Sequence, residues 1–384
     1  MTDEELAALR HASTHALTHH RAPSADAIVR DLVANGIPTR VVGFEARIAA
    51  ELGKPAAAYF PTGTMAQQIA LRIWCDRARN TTVAFHPTSR LELYEQKAYA
   101  MLHGLRALHV GTSTRLITVA DVRAIVDPLG AFLFELPQRE IGALLPHWND
   151  LVLMCDAARR TGAKLHLDGT RLWQAAPHYG RTHAEIAELF DSVYVSFNAG
   201  LDTVAGGMLV GDASFIAEAR VWQHRHGGDL PTLPLLALAA EREFDRFIEH
   251  MPAYRERARE LASAFATIDG VVPNVPHTNT FHIFLRGEKK LLETRAHAYA
   301  RETGTWVFGR LGSTVVPGIQ KWEFVVGEAT MALHPDEIVD ALRVVMGMPR
   351  REGSRFSKTR TSRAPGMNVE RKRPPVHRGR TPKR

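Results

Sequence analysis

The chain has 384 residues, 45% hydrophobic and 23% charged, which is room for two domains of ordinary size and the balance of a globular protein rather than a disordered or fibrous one. Its net charge of +7 is unevenly placed: residues 350–384 hold 13 of the 48 Lys and Arg against Glu352 and Glu370, so the remainder is mildly acidic. This argues against a basic nucleic-acid-binding body, and no apolar run reaches the roughly 18 residues that a membrane-spanning helix needs.

Residues 1–35 read as an N-terminal helical arm. The opening MTDEELAALRHASTHALTHH carries acids where a signal peptide carries positive charge, so a cytoplasmic protein without a membrane partner is expected. His15 and His19 stand four apart, but no third ligand follows at a recognisable interval, and no metal is expected. From residue 36 to 235, short apolar or β-branched runs (TVAFH, RALHVG, AFLFELP, AKLHLDG, SVYVSFN, GGMLVG) alternate with amphipathic stretches such as MAQQIALRIWCDRAR. That order predicts a large α/β domain with a mainly parallel sheet.

Residues 236–348 read as a smaller C-terminal α+β domain. One long helix (LPLLALAAEREFDRFIEHMPAYRERARELASAFATI) leads into a strand in HTNTFHIFL, a helix and a last strand in WEFVVGE. Residues 349–384 are poor in apolar residues and rich in Pro, Gly and Ser, the composition of a disordered basic tail. Nucleic-acid binding through that tail is not favoured, because no aromatic interleaving accompanies the charge. Cys75 and Cys155, 80 residues apart in helical patterns, read as buried free thiols.

Three segments carry candidate chemistry. In PAAAYFPTGTMAQQIALRIW an apolar run leads into Thr62, Gly63 and Thr64 and then a helix. Such a helix start can cradle a phosphate through backbone amides and hydroxyls, although the same letters also serve as ordinary N-capping. In AKLHLDGTRLWQAAPHYG a strand delivers Asp168 at its carboxyl end with Arg171 just beyond, at the edge where α/β sheets bind ligands. An aspartate there can keep a pyridine nitrogen protonated or simply cap the next turn. The third is SVYVSFNAGLDTVAGGMLVG, a strand, a turn and a second strand.

Taken in order, these segments with HPTSRLELYEQKAYAMLHGLRAL, ELPQREIGALLP and RVWQHRHGGDLPTLPLLALAAE resemble the threonine aldolase and β-eliminating lyase family, from about residue 40 to 240. The resemblance implies a pyridoxal-phosphate-dependent transferase fold of the aspartate aminotransferase type (fold type I). It further implies that Gly63 and Thr64 bind the cofactor phosphate, that Asp168 pairs with the ring nitrogen, and that Arg171 lies beside the ring. Arg225, Gly227 and Gly228 would line a nearby loop. A homodimer or homotetramer acting on a small amino-acid-like substrate is the corresponding expectation.

The chain departs from the family's pattern where catalysis is concentrated. Ala199 aligns with the Schiff-base lysine, whose amine anchors the cofactor and moves protons; alanine does neither. Arg90 stands where a ring-stacking histidine is expected, and it is permanently charged. In the last strand, where the family offers an arginine for the substrate carboxylate, QKWEFVVGEAT offers Lys321 and Glu323, in a register the sequence leaves open. Of nine lysines, only Lys97 and Lys321 read as substitutes for the missing amine. Three readings follow: a lyase or aldolase of the family that binds pyridoxal phosphate non-covalently or as an external aldimine and uses another base; a cofactor-independent enzyme on the same scaffold, in which Arg90, Asp168 and Arg171 serve a different, anionic substrate; or a non-catalytic paralogue that binds a ligand or pairs with an active homologue, with the basic tail as a tether.

Overall fold

The computed structural model describes residues 1–19, 41–201 and 205–351. Strands form where the apolar runs predict them: β2 (Ala56–Phe60), β3 (Thr82–Phe85), β4 (Arg106–His109), β5 (Ala131–Glu135), β6 (Lys164–Gly169), β7 (Ser192–Ser196) and β8 (Gly207–Gly211). They make one seven-stranded sheet in the order β2-β8-β7-β6-β5-β3-β4. β8 alone runs against its neighbours β2 and β7, and the other pairings are parallel.

Because β2 and β7 both oppose β8, the carboxyl ends of β2, β3, β5, β6 and β7 all reach the same edge of the sheet. Apart from the edge strand β4, which is mostly exposed, the strands are buried on both faces, as a parallel sheet covered by helices requires, which is why they read as continuous apolar runs. One face packs Ile69, Ala70, Ile73 and Trp74 of helix Gly63–Ala78. The other packs Leu151, Met154 and Cys155 of helix Trp148–Arg159. Cys75 and Cys155 are free and buried, and burial pushes both thiols up to about 12, consistent with packing roles.

A second sheet, in the order β12-β13-β10-β9, is antiparallel and comprises β9 (Val271–Pro273), β10 (Thr280–Arg286), β12 (Gly312–Ser313) and β13 (Ile319–Val325). The helix expected ahead of it is two helices, Leu233–Ile248 and Met251–Phe265. Pro252 explains the break: it has no N–H to continue the ladder and its ring would clash with the carbonyl of Ile248, so it occupies the first turn of a new helix.

At the N-terminus, helix Asp3–Ala12 starts with a capping box made by Thr2 and Glu5. The two-residue strand β1 (His15–Ala16) then pairs in parallel with β11 (Thr305–Trp306). The arm is therefore held against the C-terminal half of the chain. Residues 20–40, which include part of the arm, and the tail from residue 352 lie outside the described residues.

Candidate functional site

Local structure places the first group of site residues. Thr62 caps helix Gly63–Ala78, its Oγ1 accepting from the Met65 N–H at 3.2 Å. Gly63 cannot be replaced without displacement, because a Cβ there would run into the phenol of Tyr194 on β7. The hydroxyl of Thr64 donates to Glu95 at 3.0 Å, and Gln68 Nε2 approaches the other Glu95 oxygen at 3.5 Å. Burial, and then the charge of Asp168, raises the Glu95 carboxyl above its ordinary range.

Asp168 ends β6 and is buried. Its Oδ1 accepts from the Thr170 N–H at 3.0 Å and the Thr170 hydroxyl at 2.5 Å, and its Oδ2 accepts from Gln67 Nε2 at 3.0 Å. All three donors are neutral, and among the described residues no cationic side chain comes within ion-pair distance of this carboxylate. A buried anion in that condition favours a cationic ligand.

Ala199 stands in the turn after β7. Phe197, fully buried, is stacked near Tyr59 and Trp173 with ring centroids 6.1 and 6.2 Å away, and Trp173 Nε1 donates to the Ser196 carbonyl at 3.0 Å. The Ala199 N–H donates to Ser196 Oγ at 3.1 Å. A rigid aromatic layer thus fixes the position from which a longer side chain would reach the site, and alanine leaves that position without a functional group.

Two cavities meet here and share Arg90, Thr170 and Ala199. The larger, about 320 Å³, runs over Gly63, Thr64, Gln67 and Ser196, a volume at the lower end for small-molecule sites. The smaller, about 30 Å³, is walled by Asp168, Arg171, Glu135 and Arg139. Gly63, Thr64, Arg90, Asp168, Arg171 and Ala199, singled out from the sequence, are therefore brought together. Arg225 is not: its guanidinium lies 4.7 Å over the Trp222 ring, and neither it nor Gly227 or Gly228 lines the two cavities.

Both arginines take specific partners. Arg90 Nε is 3.4 Å from Glu95 Oε1, and its guanidinium lies 5.9 Å from the Tyr94 ring centroid. Arg171 is buried and reaches Glu323 with one nitrogen at 3.4 Å, while its Nε and Nη1 are buried with no hydrogen-bond acceptor. The register of the last strand is now defined: Glu323, opposite His282 of β10, turns toward the site, where Arg139 Nε and Nη2 also donate to it at 2.7 and 3.1 Å. Burial alone would raise the Glu323 carboxyl, but Arg171, His282 and Arg139 hold it far below the usual carboxylate range.

Neither lysine singled out from the sequence lies beside Asp168. Lys97 pairs with Glu92 at 2.8 Å and is largely exposed, and Lys321 pairs with Glu140 at 2.9 Å. Neither lines the cavities beside Asp168; Lys321 lines an adjoining one with Glu323 and Trp322.

Reasoning from the sequence did not single out Glu135, Gln67 or Arg139. Glu135 ends β5 directly beside Asp168 in the parallel register. Its Oε2 accepts from Gln138 Nε2 at 2.8 Å and its Oε1 from the Arg139 N–H at 3.1 Å. Burial, then the negative charge of Asp168, pushes the Glu135 carboxyl up to about 8. The signal was present in AFLFELP, an acid closing an apolar strand just as Asp168 closes AKLHLDG.

An α/β sheet with its candidate ligand groups, a capped helix start and a buried acid gathered at the carboxyl edge define a fold-type-I, pyridoxal-phosphate-type fold. The beta-eliminating lyase family profile matches residues 13–288, and the chain belongs to that family. A low-specificity L-threonine aldolase of Arabidopsis thaliana is 26% identical over 251 residues, covering 63% of this chain and 70% of the relative. Another of Escherichia coli K12 is 30% identical over 198 residues, covering 50% and 59%. A solved structure of a candidate L-allo-threonine aldolase from Listeria monocytogenes superposes with a TM-score of 0.83 at 35% identity, covering 90% of this chain and 99% of that one.

The family uses pyridoxal phosphate, and the residues present fit it. The unpaired Asp168 carboxylate suits a protonated ring nitrogen, and the start of helix Gly63–Ala78 suits the phosphate. Among the described residues that line the two cavities there is no lysine. Among the described residues no helix is long and apolar enough to cross a membrane.

Proposed function

We propose that this chain is a lyase of amino-acid metabolism that acts on a small β-hydroxy amino acid and holds pyridoxal phosphate without a covalent link. The observation that carries the reading is Asp168: a buried carboxylate with neutral donors only, beside a cavity that also holds Ala199. When bound, the cofactor supplies an electron-accepting ring. Asp168 holds the proton on its nitrogen, and Gly63 and Thr64 present the amides of the helix start to its phosphate. Arg171, with two buried unmatched N–H groups, receives an anionic group of the substrate, and Arg90 borders both halves of the site. Assembly as a homodimer or homotetramer is part of the same reading, as is a division into domains at about residue 235.

The test is a titration of the purified protein with pyridoxal phosphate, followed by absorbance, borohydride treatment and intact mass. Saturable binding, no reduced adduct at residue 199, and release of glycine and an aldehyde from a β-hydroxy amino acid are expected. Ala199→Lys should acquire a reduced adduct that maps to that position. A protein with no spectral change and no cleavage overturns the proposal and favours a cofactor-independent role.

A further inference from the structure

With Ala199 at the end of β7, the proton that an amine would move must be carried by another group. Among the groups lining the Asp168 cavity, the arginines Arg90, Arg139 and Arg171 do not lose a proton near neutral pH. Tyr94 is pushed up to about 12, first by burial and then by its bond to Glu140. Glu140 resists protonation because the bonds from Tyr94 and Lys321 outweigh its burial, and Asp168 is committed to the ring nitrogen. Glu135 remains.

We propose that Glu135 is the catalytic proton carrier of this site, taking up the task of the amine that position 199 lacks. Three features of the geometry support it. Glu135 lies side by side with Asp168 in the β5–β6 register, so both carboxyls emerge on one face at the ligand-binding edge. It lines the same cavity as Ala199 and Arg171. Its carboxyl is oriented by two fixed donors, Gln138 Nε2 and the Arg139 N–H, which is the preorganisation a proton carrier needs.

The charged neighbours that set its behaviour are Asp168 from β6 and Arg139 from its own loop; Glu140, Arg90 and Arg171 line the same cavity, and Glu323 from β13 faces it only through its pair with Arg139. The resulting value near 8 places the proton where it can leave and return in neutral solution.

The step balances. The ionised Glu135 carboxylate takes the proton of the substrate's β-hydroxyl. The electron pair of that O–H bond becomes the second bond of an aldehyde carbonyl as the Cα–Cβ bond breaks, and the pair from the broken bond passes to Cα. Return of the same proton to Cα gives glycine and restores the carboxylate.

This inference rests on the proposed lyase reading, and its test separates the two. Glu135→Gln and Glu135→Asp are compared with the unaltered full chain for pyridoxal-phosphate absorbance, cleavage rate against pH, and infrared absorption of the unloaded protein. The expected rate of the unaltered chain rises about tenfold per pH unit and levels near pH 8; Glu135→Gln is slower by roughly 10² to 10⁴-fold and loses that limb, while Glu135→Asp keeps it. The unloaded protein shows a protonated-carboxyl stretch that fades between pH of about 6 and about 10 and is missing in Glu135→Gln. If Glu135→Gln binds the cofactor but keeps the limb or the infrared band, the role of Glu135 is overturned and the lyase reading stands. If the unaltered chain neither binds the cofactor nor cleaves, both are overturned.

Discussion

Asp168 and Glu323, the first buried and the second partly so, are two carboxylates on opposite sides of one site, and their surroundings are inverted. Asp168, at the edge of the large sheet, meets three neutral donors. Glu323, carried in by β13 of the small sheet, meets Arg139 and Arg171, with His282 3.9 Å away. One carboxylate carries a charge the protein leaves unmatched, and the other gathers more cationic charge than it can neutralise. The first arrangement selects for a cation, whereas the second holds the two sheets together and leaves N–H groups of Arg171 for an anion. A ligand with both a protonated ring nitrogen and a carboxylate would complete the two halves at once.

The largest effect should come from breaking the second arrangement. Glu323→Gln leaves the buried Arg171 and the half-buried Arg139 without their shared anion, and the expected loss of stability is about 3 to 5 kcal/mol by urea unfolding. A loss under about 1 kcal/mol would mean that the network is replaceable by water.

Asp168→Asn should do the reverse. Gln67 Oε1 has no partner, so its amide can turn and accept from the new side chain, and the unliganded protein should lose no stability in thermal melts. Pyridoxal-phosphate affinity should fall by about 10- to 100-fold, the worth of one charge-assisted hydrogen bond. Lower stability together with unchanged affinity would erase the contrast between the two carboxylates.

The pH dependence of folding should separate Glu323 from Glu135. Glu323 is held below its unfolded value of about 4.5, so its contribution is present above that pH and is lost as pH falls through acid. Glu135 is raised, so the folded state retains a proton that the unfolded chain releases. Its contribution is full below about 4.5 and is lost as pH rises toward about 8. Glu135→Gln should remove the alkaline decline and Glu323→Gln the acid one, measured as urea midpoints against pH.

At the small end, Lys97→Gln removes an exposed partner of Glu92 and should change stability by less than about 1 kcal/mol, with cofactor binding unchanged. A large effect on binding would return Lys97 to the site.

Much of this site was legible in one dimension because its parts sit at the ends of strands. A largely apolar run closed by an acid and a glycine, as in LHLDG, or by Thr-Gly-Thr before a helix, reports its own position at the edge of a parallel sheet. Thr62, Gly63, Thr64, Asp168, Arg171 and the alanine at 199 could all be named from such segments. The break at Pro252 was also written in the chain, and the apolar periodicity on either side concealed it.

Pairing across the fold could not be read that way. Whether Glu135 lies beside Asp168 depends on the register of two strands separated by a helix, and whether Glu323 or Lys321 faces the cavity depends on an antiparallel pairing with β10. A one-residue slip would reverse every side chain, so charge neighbours are set by tertiary contacts. The sequence by itself determined the α/β order, the cap at Thr62 and the alanine at position 199, since each follows from local conformational preference or is read directly from the chain. Only the tertiary structure decided which carboxylate goes without a cation, which is given two, and which keeps its proton, because burial and the Coulomb field of neighbours distant in sequence set those charges.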